Sequence, residues 1–421
     1  MPLDQVVHAP RRKSVQPSAS KPAFGPAARI PRTQGVNRMK WPTANRAGVK
    51  AMAAAAILLS AAARWIGLGF QSRDYSLYLS VWYAHFVTDG RWHGLGNMTE
   101  TFASYPPLYM TALSLLTWVP AKPLYAVKCL SMTFDYLGAF LVWKILGSLG
   151  VSRERSAAAG LVVLFCPTVV LNSSVWAQCD MMYTVCFLWF FLSWREARAA
   201  SCMLALGLAI SLKPQAVFIA PSVAGLLAAR KLSWRRWWMA PAAYLVCGIP
   251  EALAGRPWRD VFFHWLRVRN AQGFPLNAPN WYQWVGDSHA SWLGALGVIG
   301  AALATVAVVA RMASKRDALD DPRTFLPVFL LSITLPPFLL PGMHERYFFS
   351  ADVFSIIYSC LIPRGWIVAL GFQLASGLSY LPFLFGVGIA PGSALAILMA
   401  INLTLVGRET FVGGTEAESA T

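Results

Sequence analysis

One acid in an apolar chain opens the chemical reading. SRDYSLYL, residues 72–79, follows directly on the first long apolar segment, and Asp74 is its lone carboxylate, flanked by Arg73 and Tyr75. A carboxylate where a first helix leaves a bilayer can cap the next helix or take a proton from a hydroxyl. His344, Glu345 and Arg346 stand in consecutive positions between apolar runs. They make either a polar turn or a phosphate grip, since a guanidinium matches phosphate geometry with a fork of donors. A metal site on His344 would want a second histidine at helical spacing, and the sequence has none there.

Three further stretches carry polar groups that loop chemistry does not explain. SSVWAQCD puts Gln178 and Asp180 at the start of an apolar run, where Asp180 can cap a helix or bind a polar substrate. Lys213, in SLKPQA, interrupts the apolar stretch 199–229. It either snorkels to an interface or neutralises a phosphate. NAPNWYQW, 277–284, brings Trp281, Tyr282 and Trp284 close together, as an interfacial aromatic belt or a sugar-stacking platform. Tyr105 lies in SYPPLY, 104–109. In the loop 255–290, Arg256, Arg259, Arg267 and Arg269 suggest contact with an anionic headgroup or lipid phosphate.

The elements that must position these residues are membrane helices. Of 421 residues 56% are hydrophobic and 13% charged, against about 25% charged in soluble domains. Apolar runs recur from 47 to 406 at lengths that cross a hydrocarbon core as helix. Lipid offers backbone groups no water, so such runs fold as helices. Alternation at period 2 is absent, which argues against a barrel. The expected fold is all-α, a polytopic helical membrane protein.

The net charge of +17 does not point to nucleic acid. Residues 1–50 hold ten Lys/Arg against one acid, Asp4, and most other basic residues fall in short loops, the pattern of cytoplasmic loops. Seven cysteines show no CxxC or paired spacing, so they read as free core cysteines. Residues 1–46, rich in Pro, Ser, Ala and Arg, read as a disordered tail, with Met39 an alternative start. A membrane domain, 47–406, and a short polar tail, 407–421, complete the expected organisation.

With the basic flank of the first span (47–70) inside, residues 71–105 lie outside as one or two surface helices. YPPLYMTALSLLTWVP, 105–120, is short and bounded by proline, and is taken not to cross. Spans then follow at 124–147, 156–172, 180–194, 199–212, 215–229, 237–254, 291–310, 324–341, 347–362, 364–379 and 382–405. That makes about twelve crossings with both termini cytoplasmic. All the unexplained polar motifs fall on the outer face, and ionisable groups at a membrane rim are functional candidates. Asp135 is read as the one mid-span acid, able to partner Lys128.

On these motifs the chain resembles the membrane glycosyltransferases of the GT-C superfamily. It is most similar to the dolichyl-phosphate-glucose-dependent glucosyltransferases of asparagine-linked glycosylation and their bacterial mannosyltransferase-like relatives. RDYSLYL looks like that family's first-loop Asp-Tyr motif and YPPLY like its Tyr-Pro-Pro-Leu. NAPNWYQW looks like an outer-loop Asn-aromatic-Trp segment, and HERYFF like the motif opening a late span. WAQCDMMYT and LKPQA are similar to segments of the bacterial relatives.

The resemblance runs from 72 to 349. It implies an inverting hexose transfer, of mannose or glucose, from a polyprenyl-phosphate carrier to a lipid-linked or glycan acceptor, without a cofactor or essential metal. Asp74 is carried over as base. Arg73, Tyr75, Tyr105, Gln178, Asp180, Lys213, Trp281, His344, Glu345 and Arg346 are expected to bind substrate or phosphate. Two departures stand out: the Arg73 position and the residues after Tyr75 differ from the eukaryotic pattern, and Asp74 has no acidic neighbour two positions away. The implied location is a bacterial inner membrane, facing the periplasm. The competing expectation is a flippase for lipid-linked sugars, which would place charges mid-span and build an inverted repeat.

Overall fold

A computed structural model describes residues 46–98, 105–268, 276–285 and 290–412. The expected basic tail, but for residue 46, and Arg269 lie outside the described residues, as do positions 413–421. Among the described residues the only β-type pairing is an isolated bridge of Leu276 and Asn277 with His344; everything else regular is helical.

The described residues begin with α1 (Arg46–Gly67). A helical first loop follows: a π-helical turn at Tyr75–Leu79, α2 (Ser80–Thr88) and α3 (His93–Gly96). Helix α4 (Pro107–Leu116) starts on its own proline. Its ten residues extend about 15 Å, half of a roughly 30 Å hydrocarbon core. Helix α5 (Pro123–Ser148) is long. A bent pair follows, α6 (Arg153–Phe165) and α7 (Pro167–Val170), the latter running into a second π-helical turn at Leu171–Val175. Pro167 opens α7, and the chain bends by 50° at the break.

Next come α8 (Asp180–Arg195), α9 (Ala199–Leu212), a 3-10 turn at Pro214–Ile219, α10 (Ala220–Ala228) and α11 (Met239–Leu253). Helices α12 (Trp258–Val268), α13 (Ala290–Ser314) and α14 (Pro322–Leu339) lead to a 3-10 turn at Glu345–Phe348. Helices α15 (Phe349–Leu361), α16 (Gly365–Phe385) and α17 (Gly392–Phe411) close the chain.

The expected spans fall on helical structure, but 156–172 lies on the bent α6–α7 pair, 215–229 on a 3-10 turn joined to α10, and one boundary is shifted. The expected break near 380 is absent: α16 runs through Pro382 and ends at Gly386, whose φ is +69°. The left-handed backbone that glycine tolerates stops this helix. Five described helices are long and apolar enough to cross a membrane: α5, α13, α14, α16 and α17. The bent α6–α7 pair makes a sixth if counted as one span. Large apolar side chains face outward along the bundle, among them Leu58, Trp65, Ile66, Leu303 and Val306, as lipid contact demands. The protein is a membrane-embedded helical bundle.

Helix α8 is buried on nearly every side, packed against α5, α9 and α15. Its Phe191 stacks on Phe325 of α14, with ring centroids 5.6 Å apart, and Phe329 meets Phe354 of α15 at 4.7 Å. This aromatic core fixes α8 so that its first residue, Asp180, stands at a defined place. All seven cysteines are free.

Two buried charges solve local problems of α1. Asp135 is not the partner of Lys128. It accepts Nε and Nη2 of Arg64 at 3.1 and 2.9 Å and Oγ of Ser173 at 2.6 Å. Lys128 turns instead to backbone carbonyls at the end of α1. Asp135 is also not the sole acid within an expected span: Asp352 in α15 is fully buried and accepts Oγ of Ser376 at 2.8 Å.

Candidate active site

Asp74 does not cap the helix it begins. Ser72 takes that task, its Oγ accepting the Tyr75 backbone N–H at 3.1 Å. The Asp74 carboxylate is left for tertiary partners, and three donors converge on its Oδ2. They are Nε1 of Trp176 at 2.9 Å, Nε2 of Gln178 at 2.8 Å and Nη1 of Arg346 at 3.2 Å. Oδ1 receives no hydrogen bond from the described residues, and the side chain is 15% exposed. One oxygen is anchored and the other is left without a hydrogen-bond partner among the described residues.

Local backbone chemistry explains how distant residues meet there. Trp176 and Gln178 flank Ala177, which is fully buried with φ +64°. A non-glycine residue in the left-handed region carries strain. Here the twist follows the second π-helical turn and sends both flanking side chains to one oxygen. π-Helical segments concentrate where function needs a displaced side chain, and the other such turn begins right after Asp74. Lys213 precedes a proline, which disfavours helical backbone. It is extended (φ −156°, ψ 137°) and ends α9. Tyr105 likewise precedes Pro106, the extended residue at the head of α4.

These residues form a closed polar ring. Gln178 Oε1 accepts Tyr105 Oη at 3.3 Å and Lys213 Nζ at 3.5 Å. Lys213 pairs with Oδ1 of Asp180. Oδ2 of Asp180 accepts Asn172 Nδ2 at 2.7 Å and lies 3.9 Å from Arg346 Nε. Arg346 returns to Asp74, its guanidinium 5.3 Å from the Trp176 ring centre. Two carboxylates thus face two cations. Asp180, Lys213, Gln178 and Trp176 are all but inaccessible, and breaking such a buried pair costs on the order of 3–5 kcal/mol. Arg346 keeps a buried Nε–H without a hydrogen-bond partner, a spare donor for an anion.

The loop carrying His344 and Glu345 meets NAPN backbone to backbone through the Leu276 and Asn277 bridge. His344 stacks edge-on to Tyr347 at 5.3 Å. Burial, then the charges of Arg346 and Lys213, push its imidazole down to about 3, so it stands neutral as a hydrogen-bonding group. Glu345 is buried with neither carboxylate oxygen hydrogen-bonded. Burial, only partly offset by Arg346, raises it to about 7.

Of the expected residues, Asp74, Tyr105, Gln178, Asp180, Lys213 and Arg346 come together, with His344 and Glu345 beside them. Three do not join. Arg73 is exposed, and none of its contacts reaches the ring among the described residues. The Tyr75 side chain is buried on a groove of about 290 Å³ shared with Tyr83, Ala84, Val87 and Pro123, which Asp74 does not line. Trp281 donates Nε1 to the Leu339 carbonyl at 3.1 Å, closing the end of α14. In the 255–290 loop Arg256 is paired with buried Glu251 at the end of α11.

Sequence reasoning missed Trp176, Asn172 and Ser72. A tryptophan in an apolar chain carries no signal of its own. The SSVW stretch beside Gln178 was the available hint. No family model matches this sequence, and no curated protein matches it.

Proposed function

We propose that the protein is an integral membrane glycosyltransferase of GT-C type. It moves a hexose from a polyprenyl-phosphate carrier to a lipid-linked or glycan acceptor, on the extracytoplasmic side of a bacterial inner membrane crossed about twelve times. The observation that carries the reading is the two-faced carboxylate of Asp74. Its Oδ2 is fixed by three donors while Oδ1 is open, beside a guanidinium with a spare buried donor.

In the reaction Asp74 Oδ1 takes the proton of the acceptor hydroxyl. The acceptor oxygen attacks the anomeric carbon. The bond from that carbon to the phosphate oxygen breaks, and its electron pair leaves with the polyprenyl phosphate. Configuration inverts. Arg346 and Lys213 stabilise the charge that develops on the leaving phosphate, and neutral His344 adds a hydrogen bond. Gln178 and Tyr105 orient the acceptor.

A second reading, transport of the intact lipid-linked sugar, draws on the charges buried within the bundle: Arg64, Lys128, Asp135 and Asp352. The first three are satisfied locally by each other or by carbonyls, which favours the enzyme.

The test is a vesicle assay with purified protein and a panel of radiolabelled polyprenyl-phosphate hexoses. Release of polyprenyl phosphate with sugar transfer or hydrolysis is the expected result. Movement of intact lipid-sugar between leaflets without bond cleavage would replace the enzyme with a flippase.

A further inference from the structure

Lys128 is fully buried near the start of α5 and has no acidic partner among the described residues. Its ammonium donates to three carbonyls, Gly67 at 2.8 Å, Leu68 at 3.2 Å and Phe70 at 2.6 Å. That uses all three of its N–H donors. The three acceptors form the exit of α1, where helical carbonyls lose their partners and the helix dipole favours a cation. Burying an ammonium is an expensive way to satisfy the end of a helix.

The segment beyond explains why more than a cap is needed. From Phe70 the chain runs outside regular structure to Ser72 and reaches Asp74 two residues later. Gly69 and Gln71 are exposed, while Leu68 is buried and Phe70 packs against Phe385 with ring centroids 5.4 Å apart. The segment's hydrogen-bonded ties to other elements are Lys128 at one end and Ser72 at the other. Ser72 Oγ donates to the Trp176 carbonyl at 2.9 Å, and the Trp176 indole donates to Asp74. At Gly67 the strap comes so close to the second π-helical turn that a Cβ would lie 2.7 Å from Val175 Cγ2. Strap and turn therefore meet side by side, one carrying Asp74 and the other leading to its donors.

We infer that Lys128 is a positioning residue for Asp74, clamping the strap 67–72 so that the carboxylate meets Trp176, Gln178 and Arg346. For catalysis this inference rests on the proposed glycosyl transfer; for the geometry it stands alone. Lys128 touches no reacting atom. Its loss lets the strap shift while Arg346 and Lys213, on other elements, still hold the donor phosphate. A displacement near 1 Å of a reacting group costs about 100-fold in rate.

The experiment compares wild type with Lys128→Met and Lys128→Arg in vesicles, reading kcat, donor KM and amide hydrogen exchange. In Lys128→Met, kcat falls by about 10- to 100-fold with donor KM within about twofold, and Lys128→Arg recovers part of the rate. Exchange of peptides covering 67–76 rises about tenfold or more, with α8 and α15 unchanged. Wild-type kcat and wild-type strap exchange in Lys128→Met would overturn the inference. So would exchange raised equally throughout the bundle, which is the mark of a merely structural lysine. If wild type transfers sugar from no donor, the proposed function falls and the exchange data alone decide the clamp. If Lys128→Met does not fold, Ser72→Ala removes the other tie, and absence of the same strap-limited rise refutes the clamp.

Discussion

Between pH 4.5 and about 7 Glu345 makes the folded protein bind more protons than the unfolded chain, because burial raises its carboxyl to about 7. Its contribution to stability therefore falls as pH rises through that window, by roughly 3 kcal/mol in all. His344 acts oppositely. With its imidazole pushed down to about 3, it adds stability as pH rises from about 3 to 6.5. The two slopes overlap in wild type, so a difference isolates Glu345: Glu345→Gln keeps the His344 slope and removes the fall above pH 4.5. Melting temperatures of both proteins in detergent at pH 5 and pH 8 check this, and identical pH dependence would contradict it.

At this scale the site was legible wherever a charge interrupted an apolar stretch. Asp74, Asp180, Lys213 and Arg346 stood out because burying a charge needs a reason. The partners of those charges were not legible. Arg64 lies 71 residues from Asp135 and Arg346 lies 272 from Asp74, and spacing along the chain does not encode such meetings. Trp176 was hidden because a tryptophan needs no excuse in a membrane helix.

Helices were readable as apolar runs, and prolines at 107, 123 and 167 open α4, α5 and α7, as the missing N–H permits. What escaped was the irregular backbone that does the positioning. A π-helical turn has the composition of the helix around it, and Ala177 gives no hint of a left-handed conformation. That strain has a measurable consequence. A β-branched side chain is disfavoured at positive φ more strongly than alanine, so Ala177→Val is expected to lose about 1–3 kcal/mol and to uncouple Trp176 and Gln178 from Asp74. Ala177→Gly should keep near wild-type stability, strain relief offsetting lost chain stiffness. Thermal unfolding of both variants settles it, and a valine variant as stable as wild type would show that the backbone is relaxed there.

For the molecule as a whole, composition gave the membrane class, since 13% charged residues cannot cover a soluble surface of this size, and the length of the apolar runs gave the helices. The crossing count is less direct. Helix α8 has 16 residues and α15 has 13, about 24 and 20 Å, and both are wrapped by other helices, so length against bilayer thickness does not count them. The proposed topology predicts that Gln71→Cys is labelled by an impermeant maleimide from outside intact cells, whereas Arg235→Cys is labelled only after permeabilisation. The opposite pattern would turn the site to the cytoplasm.

The central claim is that Asp74 removes the acceptor's proton, and its most direct test sets wild type beside Asp74→Asn in vesicles with the donor the panel identifies. Asparagine keeps the shape of the side chain and can still accept at the oxygen that Trp176, Gln178 and Arg346 hold, but it takes up no proton. Donor binding is expected to stay within about threefold of wild type, while transfer falls by about 100- to 10,000-fold, the range that a positioned base supplies. An Asp74→Asn protein that transfers sugar at the wild-type rate would show that the proton goes elsewhere.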